Sequence, residues 1–331
     1  MNDMKQNNAV FVRLILFLVL IAAVLVLSMS AEKTIRPPLE PAAVGAGPAQ
    51  AFNMTAMRFI IVKFAGWFVF IAAVALLLRR GTWERREKII GYSISLLAFG
   101  VFFGPEPSPM HPVKDFVFRL AAMGKPMVLF AGFFAVLLLA SIVLNRSICA
   151  WGCQFGVLQD LIHRIFRNKK DTKSVVSAYK PPFWLSNTVR IASFLGMVFT
   201  AVILSFDLFG KFDPFTIFDP VGLGITAAVF AGIVLIASIF IYRPFCYFFC
   251  PFGLLSWFAS RLSIIKIRIN RETCTDCTLC VRACPSNAMK GIYEKQSLPP
   301  DCYTCGSCLA ACPTNAISLS GPSTKNMKTL E

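Results

Sequence analysis

Cysteine carries most of the chemistry legible in this chain. Eight of its 12 cysteines fall in two copies of C-x-x-C-x-x-C-x-x-x-C-P: Cys274, Cys277, Cys280 and Cys284 before Pro285, then Cys302, Cys305, Cys308 and Cys312 before Pro313. A cubane iron–sulfur cluster needs thiolates at four corners. Three cysteines at intervals of three wrap one side, and the fourth arrives from elsewhere. In the bacterial arrangement the last cysteine of each run serves the other cluster. The expected ligand sets are therefore Cys274, Cys277, Cys280 and Cys312 for one [4Fe–4S] cluster, and Cys302, Cys305, Cys308 and Cys284 for the second. Zinc sites pair separated C-x-x-C knuckles and a redox dithiol needs a single pair, so two complete four-cysteine runs favour clusters over both.

The other four, Cys149, Cys153, Cys246 and Cys250, belong to an internal repeat, Arg-x-x-Cys-x-x-x-Cys-x-Phe-Gly-x-Leu, at Arg146–Leu158 and Arg243–Leu255. Six identities in register argue for two related halves packed about a pseudo-axis rather than chance. Two such loops at one membrane depth can give four thiolates to a single centre, a third cluster. Trp151, Tyr247 and Pro251 would keep it dry, and Arg146 and Arg243 would offset its negative charge. Redox-active dithiols, a Cu(I) site and buried free cysteines stay open as alternatives. No cysteine is left over for a disulfide framework.

The elements that must position these residues read as membrane helices. Apolar residues make up 56% of the chain, only 15% are charged, and mean hydropathy is +0.65. Crossing a bilayer takes roughly 20 mostly apolar residues, which predicts about six spans: Phe11–Leu27, Phe59–Leu78, Ile89–Gly104, Pro126–Leu144, Val189–Phe206 and Leu223–Tyr242. The first reads as a retained anchor rather than a signal peptide, because its apolar stretch is long and Ser28-Met29-Ser30 is a poor cleavage site. Lys and Arg crowd the loops Arg79–Lys88 and Asn145–Arg190, whereas Asp207–Asp219 holds three Asp and only Lys211. By the positive-inside rule the first two loops, both termini and every cysteine are cytoplasmic, with Asp207–Asp219 outside. That placement in a bacterial-type inner membrane suits reduced, metal-binding thiols. It also accounts for a net charge of +16 without nucleic acid, since the basic residues lie in short loops facing anionic lipid.

The fold class expected is an all-α transmembrane bundle with a C-terminal α+β two-cluster ferredoxin domain. The bundle takes residues 1–262 with cytoplasmic cysteine loops at 146–158 and 243–255, the ferredoxin domain 263–324 and a tail 325–331. Ile264–Asn270 alternates Ile265, Ile267 and Ile269 with polar residues, as a half-buried strand does. Val157–Lys170 places Leu158, Leu161, Ile162, Ile165 and Phe166 on one helical face, opposite Arg164, Arg167 and Lys169, and reads as an interfacial amphipathic helix. From Lys266 onward eight Lys or Arg stand against five Asp or Glu, a balance suited to an anionic membrane face or an acidic partner.

Cysteine loops after a span, beside a double ferredoxin run, resemble the NosR/NapH/CcoG-like family of membrane polyferredoxins over about Lys125–Leu319. Arg243-Pro-Phe-Cys246-Tyr-Phe-Phe-Cys250-Pro251-Phe-Gly253 matches the family pattern, and Gln154 departs from it where Pro is usual. The resemblance implies electron transfer between the quinone pool and a reductase partner subunit, a quinol dehydrogenase component, or support of metalloenzyme maturation such as copper reduction. A redox-sensing regulator is a further class. Ala31–Thr55 is too short for the flavin-binding domain of the NosR branch, which points to the NapH-like one.

Haem is not expected: His111 and His163 are predicted on opposite sides of the membrane, and no C-x-x-C-H occurs. His163 reads as an interfacial residue rather than a ligand. Asp213 and Asp219 each precede a proline and read as solvated turn residues rather than proton acceptors. No P-loop or dinucleotide fingerprint is present.

Overall fold

The computed structural model describes residues 54–79, 85–104, 108–123, 128–167, 178–204, 206–219, 223–296 and 301–320. The expected span Phe11–Leu27 and the tail after residue 324 lie outside them. The other five expected spans are helical: α1 (Met54–Arg79), α2 (Arg85–Ser95) running into a π-helical stretch at Leu96–Phe102, α4 (Val128–Leu144), α6 (Phe183–Ile203) and α8 (Ile225–Phe240). Among the described residues one helix, Phe183–Ile203, is long and apolar enough to cross a membrane on its own. Val62–Leu78, Ala131–Leu144 and Ile225–Phe240 are shorter apolar stretches. Large apolar side chains stay exposed on their outer faces, among them Val69, Leu195, Phe199, Ile225, Ile233 and Ile236. A helix with that character wants apolar solvent on its outer side.

Two segments differ from their sequence-based expectation. Between Gly104 and Lys125 the chain forms a helix, α3 (His111–Met123). Its Lys114 reaches Asp207 at 3.7 Å and Asp213 at 3.8 Å. Asp213 is accordingly buried, and its carboxylate accepts from the Phe215 N–H at 2.9 Å to cap the 3₁₀ turn Pro214–Phe218. It is not a solvated turn residue.

The helix expected at the membrane interface, α5 (Gln154–Ile165), is a core helix instead, buried from Gln154 through Arg164. Its polar face is satisfied internally: Asp160 accepts from Arg164 Nε at 2.5 Å, Arg243 Nη2 at 2.8 Å, Tyr242 Oη at 2.8 Å and Tyr92 Oη at 3.1 Å. Four donors on one carboxylate let a charged face be buried that sequence alone assigns to water.

The two repeats embrace each other. Each consists of a span, a cysteine loop and a second helix: α4 then α5, and α8 then α10 (Pro251–Arg261). Helix α10 packs on α4 of the first repeat, and α5 packs on α8 of the second. The C-terminal region follows as β1 (Lys266–Ile269) and β2 (Ile317–Ser320), paired antiparallel with Lys266 opposite Ser320. Ile267 is buried between its polar neighbours, as alternation predicts.

Candidate metal centres

Between β1 and β2 the two four-cysteine runs form two similar lobes. Their kinship shows in the backbone. Asp276 and Thr304, Thr278 and Gly306, and Asn287 and Asn315 occupy matching positions, and all six have left-handed φ between 51° and 75°. These reversals curl each run around a hollow and start the short helices α11 (Leu279–Ala283) and α13 (Ser307–Ala311).

Two cavities result. One, with about 320 Å³ of unfilled space, is lined by Cys274, Cys277, Cys280 and Cys312 together with Ile269, Tyr293 and Ile317. The other, with about 340 Å³, is lined by Cys284, Cys302, Cys305 and Cys308. Each therefore gathers three cysteines of one run and the last of the other. The donor set suits an iron–sulfur cubane: four thiols, apolar walls and backbone N–H groups on sulfur, such as Met289 N–H to Cys284 Sγ at 3.4 Å. Burial pushes the Cys302 thiol up to about 12 and raises Cys308 as well, so these sulfurs hold their protons until a metal replaces them.

The cavities are placed differently. Cys277 is exposed, which makes the first the outer cavity. The second is pressed against the helices. Trp151 Nε1, inside the first cysteine loop, donates to the Thr304 carbonyl at 3.2 Å. Tyr247 Oη, inside the second loop, donates to the Ser286 carbonyl at 2.9 Å. Arg146 and Arg190 both pair with Asp301, the residue before Cys302, and the Arg146 guanidinium lies 4.4 Å from the Tyr303 ring centre. A Cβ on Gly306 would meet Leu78 Cδ2 at 2.6 Å, so any side chain there would displace Leu78 of α1. Thr278 takes the matching position in the outer lobe.

Cys149, Cys153, Cys246 and Cys250 are buried free thiols. Electrostatic interaction links Cys250 to Cys246, Cys149 and Cys153, so the fold brings both loops to one place. Cys153 and Cys250 each sit at a helix N-cap in extended conformation, with φ −76°, ψ 110° and φ −67°, ψ 114°. Gln154 thus takes the first helical position as readily as Pro251 does, and the departure from the family pattern leaves the geometry intact. Gly253 N–H donates to Cys250 Sγ at 3.3 Å, and Gly156 does the same for Cys153.

The arginines of the repeat cross over. Arg243 donates to the carbonyls of Cys149 and Ala150 in the first loop, and Arg146 donates to the Gly253 carbonyl of the second at 3.1 Å. Both 156 and 253 favour glycine, because a Cβ there would lie 3.0 Å from the carbonyl of Cys149 or Cys246.

Burial pushes Cys246 up to about 11, against the pull of Arg243, and raises Cys153 and Cys250. A redox dithiol instead needs a depressed pKa and access. Among the described residues no three Cys, His, Asp or Glu side chains converge tightly enough for one metal ion. A mononuclear site would need sulfurs at roughly 2.3 Å from its metal.

Sequence reasoning missed Asp160 and Asp301, the carboxylates around which the arginines organise. Their signal was faint: a lone acid four residues before Arg164, and another directly before Cys302 with no arginine near it in the chain. His163 is not interfacial: it is buried, its Nδ1 lies 3.1 Å from the Ser238 carbonyl, and burial with Arg167 nearby lowers its pKa to about 4.

This architecture carries C-terminal ferredoxin-type lobes whose cysteines suit [4Fe–4S] clusters. Comparison with known proteins agrees. Residues 266–313 match the 4Fe-4S dicluster domain family, and 126–173 and 223–271 both match one 4Fe-4S binding domain family, one match on each repeat. The chain is 29% identical over 158 residues to YccM of Escherichia coli, described as a candidate electron transport protein, a match covering 44% of this chain and 43% of that one. It is 25% and 26% identical over 154 residues to the uncharacterized proteins MJ0749 and MJ0750 of Methanocaldococcus jannaschii, covering 45% of this chain and 55% and 63% of theirs. The matches thus span about half the length of these curated relatives. No solved structure matches.

Proposed function

We propose that this chain is a multi-pass inner-membrane polyferredoxin of the NapH-like type that relays electrons between the quinone pool and a reductase partner. In this reading Cys274, Cys277, Cys280 and Cys312 hold one [4Fe–4S] cluster, and Cys284, Cys302, Cys305 and Cys308 hold the second. Cys149, Cys153, Cys246 and Cys250 share a third centre. The protein's part is to seat the clusters, exclude water and tune their potentials.

The observation that carries the relay is the contact of Trp151 with Thr304. It joins a residue flanked by the loop cysteines to one flanked by Cys302 and Cys305, so the inner cavity stands between membrane loops and exposed lobe. The match of both repeats to a 4Fe-4S binding domain family supports a polynuclear centre over a dithiol or copper site. The apolar outer faces of the helices support the membrane placement.

The deciding experiment is anaerobic purification with iron quantitation and EPR redox titration, followed by quinone addition to proteoliposomes holding dithionite-reduced protein. Reoxidation by a quinone analogue is expected. Its absence, with clusters intact, would move the assignment to metalloenzyme maturation, for which copper binding is the check. For topology, Lys211→Cys should react with an impermeant thiol reagent in whole cells. Labelling only after lysis would overturn the orientation.

A further inference from the structure

The two ferredoxin cavities differ in charge. Around the inner one, each cysteine faces a cation contributed from outside the ferredoxin segment. Lys88 acts on Cys308, Lys180 on Cys284 and Arg146 on Cys302. The Lys180 ammonium also donates to the Cys284 carbonyl at 2.7 Å. For Cys305 the link runs through Ser307, whose hydroxyl oxygen accepts from Lys88 Nζ at 3.4 Å, from Arg164 Nη1 at 3.2 Å and from the Cys305 thiol at 3.6 Å. The outer cavity has the opposite character. Its nearest charge is the exposed Asp276 carboxylate, 3.5 Å from Cys274 Sγ. Arg271 lies 3.5 Å from that carboxylate, on the exposed surface, where solvent and salt screen both charges.

We infer that the inner cavity, lined by Cys284, Cys302, Cys305 and Cys308, holds the higher-potential of the two ferredoxin clusters, and that Lys88, Arg146, Arg164 and Lys180 set it there. The inference rests on reading both cavities as cluster sites. Reduction adds one electron and one negative charge, so nearby cations favour the reduced form. Burial alone works the other way. It also strengthens what each nearby cation contributes, although Arg146 and Arg164 share their charge with Asp301 and Asp160. With clusters in both cavities, the cations around Cys284, Cys302, Cys305 and Cys308 would make the inner site the acceptor of an electron from the outer one, with no proton transferred. The helical part of the chain acts as the positioning framework for this potential, since none of the four cations belongs to the ferredoxin runs.

Anaerobic EPR redox titration of the full chain tests this. Any component that disappears in Cys246→Ala is set aside as the loop centre. The remaining two midpoints should be unequal. Lys88→Met should lower only the higher one by at least a tenfold change in the reduction equilibrium, about 59 mV for one electron, and Lys88→Arg should restore most of it. Should Lys88→Met shed iron, Lys180→Met, at the half-exposed rim, carries the same expectation. Equal midpoints in the parent, a shift in the lower component, or no shift in an iron-replete variant would overturn the inference. Failure of the two-cluster reading is separate, because it shows in the Cys246→Ala protein, which lacks the loop centre, as less than about eight iron atoms for two cubanes before any titration.

Discussion

Arg146 and Asp301 form a fully buried ion pair across 155 residues, joining the first cysteine loop to the residue that precedes Cys302. Arg190 shares the same carboxylate at 3.0 Å. The pair fixes the inner ferredoxin lobe onto the helices, and Tyr303 beside it is buried against Arg146.

Removing that carboxylate should release the lobe. Asp301→Ala leaves two buried guanidinium groups short of their counter-charge, a loss of about 3–5 kcal/mol when one partner of a buried pair is deleted. The expected outcome is a lower unfolding temperature in detergent and faster proteolysis between residues 262 and 301. Adding Arg190→Met should recover part of the loss. An Asp301→Ala protein as stable and protease-resistant as the parent would contradict the docking role.

The paired glycines make a sharper test of the repeat. Gly156→Ala and Gly253→Ala each place a methyl 3.0 Å from a backbone carbonyl that cannot easily give way. Both should destabilise the protein and lower the iron retained by the loop cysteines. Gly132→Ala and Gly196→Ala meet nothing within 4 Å and lie in helix interiors, where the change should stabilise by about 0.5–1 kcal/mol. Equal effects in the two pairs would remove the packing argument.

If the four loop cysteines share one centre, they act as a unit. Cys149→Ala and Cys246→Ala, in different repeats, should then abolish the same EPR signal and lose similar iron, approaching about four atoms for one cubane. The ferredoxin signals should survive in both. Parental iron and spectra in both mutants would leave the chain without a third centre.

His163 predicts an acid limb to stability. Its pKa falls from 6.5 to about 4 on folding, chiefly through burial and then Arg167. The unfolded chain thus binds this proton more readily between those values. Stability should be full above pH 6.5 and decline as pH falls toward 4, by roughly 3 kcal/mol at most. Denaturant midpoints measured from pH 7.5 to 4.5 check this, and the part of the slope due to this group should vanish in His163→Phe.

The sequence by itself determined how the eight C-terminal cysteines group around the two cavities. Cysteine spacing is a local property, so the exchange of Cys284 and Cys312 between lobes was legible before the two cavities were seen. Hydrophobic runs are also local, and five of the six expected spans coincide with described helices. The repeat was legible as identities, among them the glycines at 156 and 253.

Tertiary structure decided what depends on partners distant in sequence. Helix α5 carries Asp160, Arg164 and Arg167 and reads as a helix with one wet face. It is buried because Arg243, Tyr242 and Tyr92, contributed by other segments, complete the shell of its carboxylate. Asp213 reads as a solvated turn until Lys114 of an unexpected helix reaches it. The two four-cysteine runs look equivalent in the sequence, yet one lobe lies open and the other rests on Leu78, Trp151 and Arg146. Burial of a charge is affordable only where opposite charge and hydrogen bonds converge on it, and that convergence belongs to the folded chain.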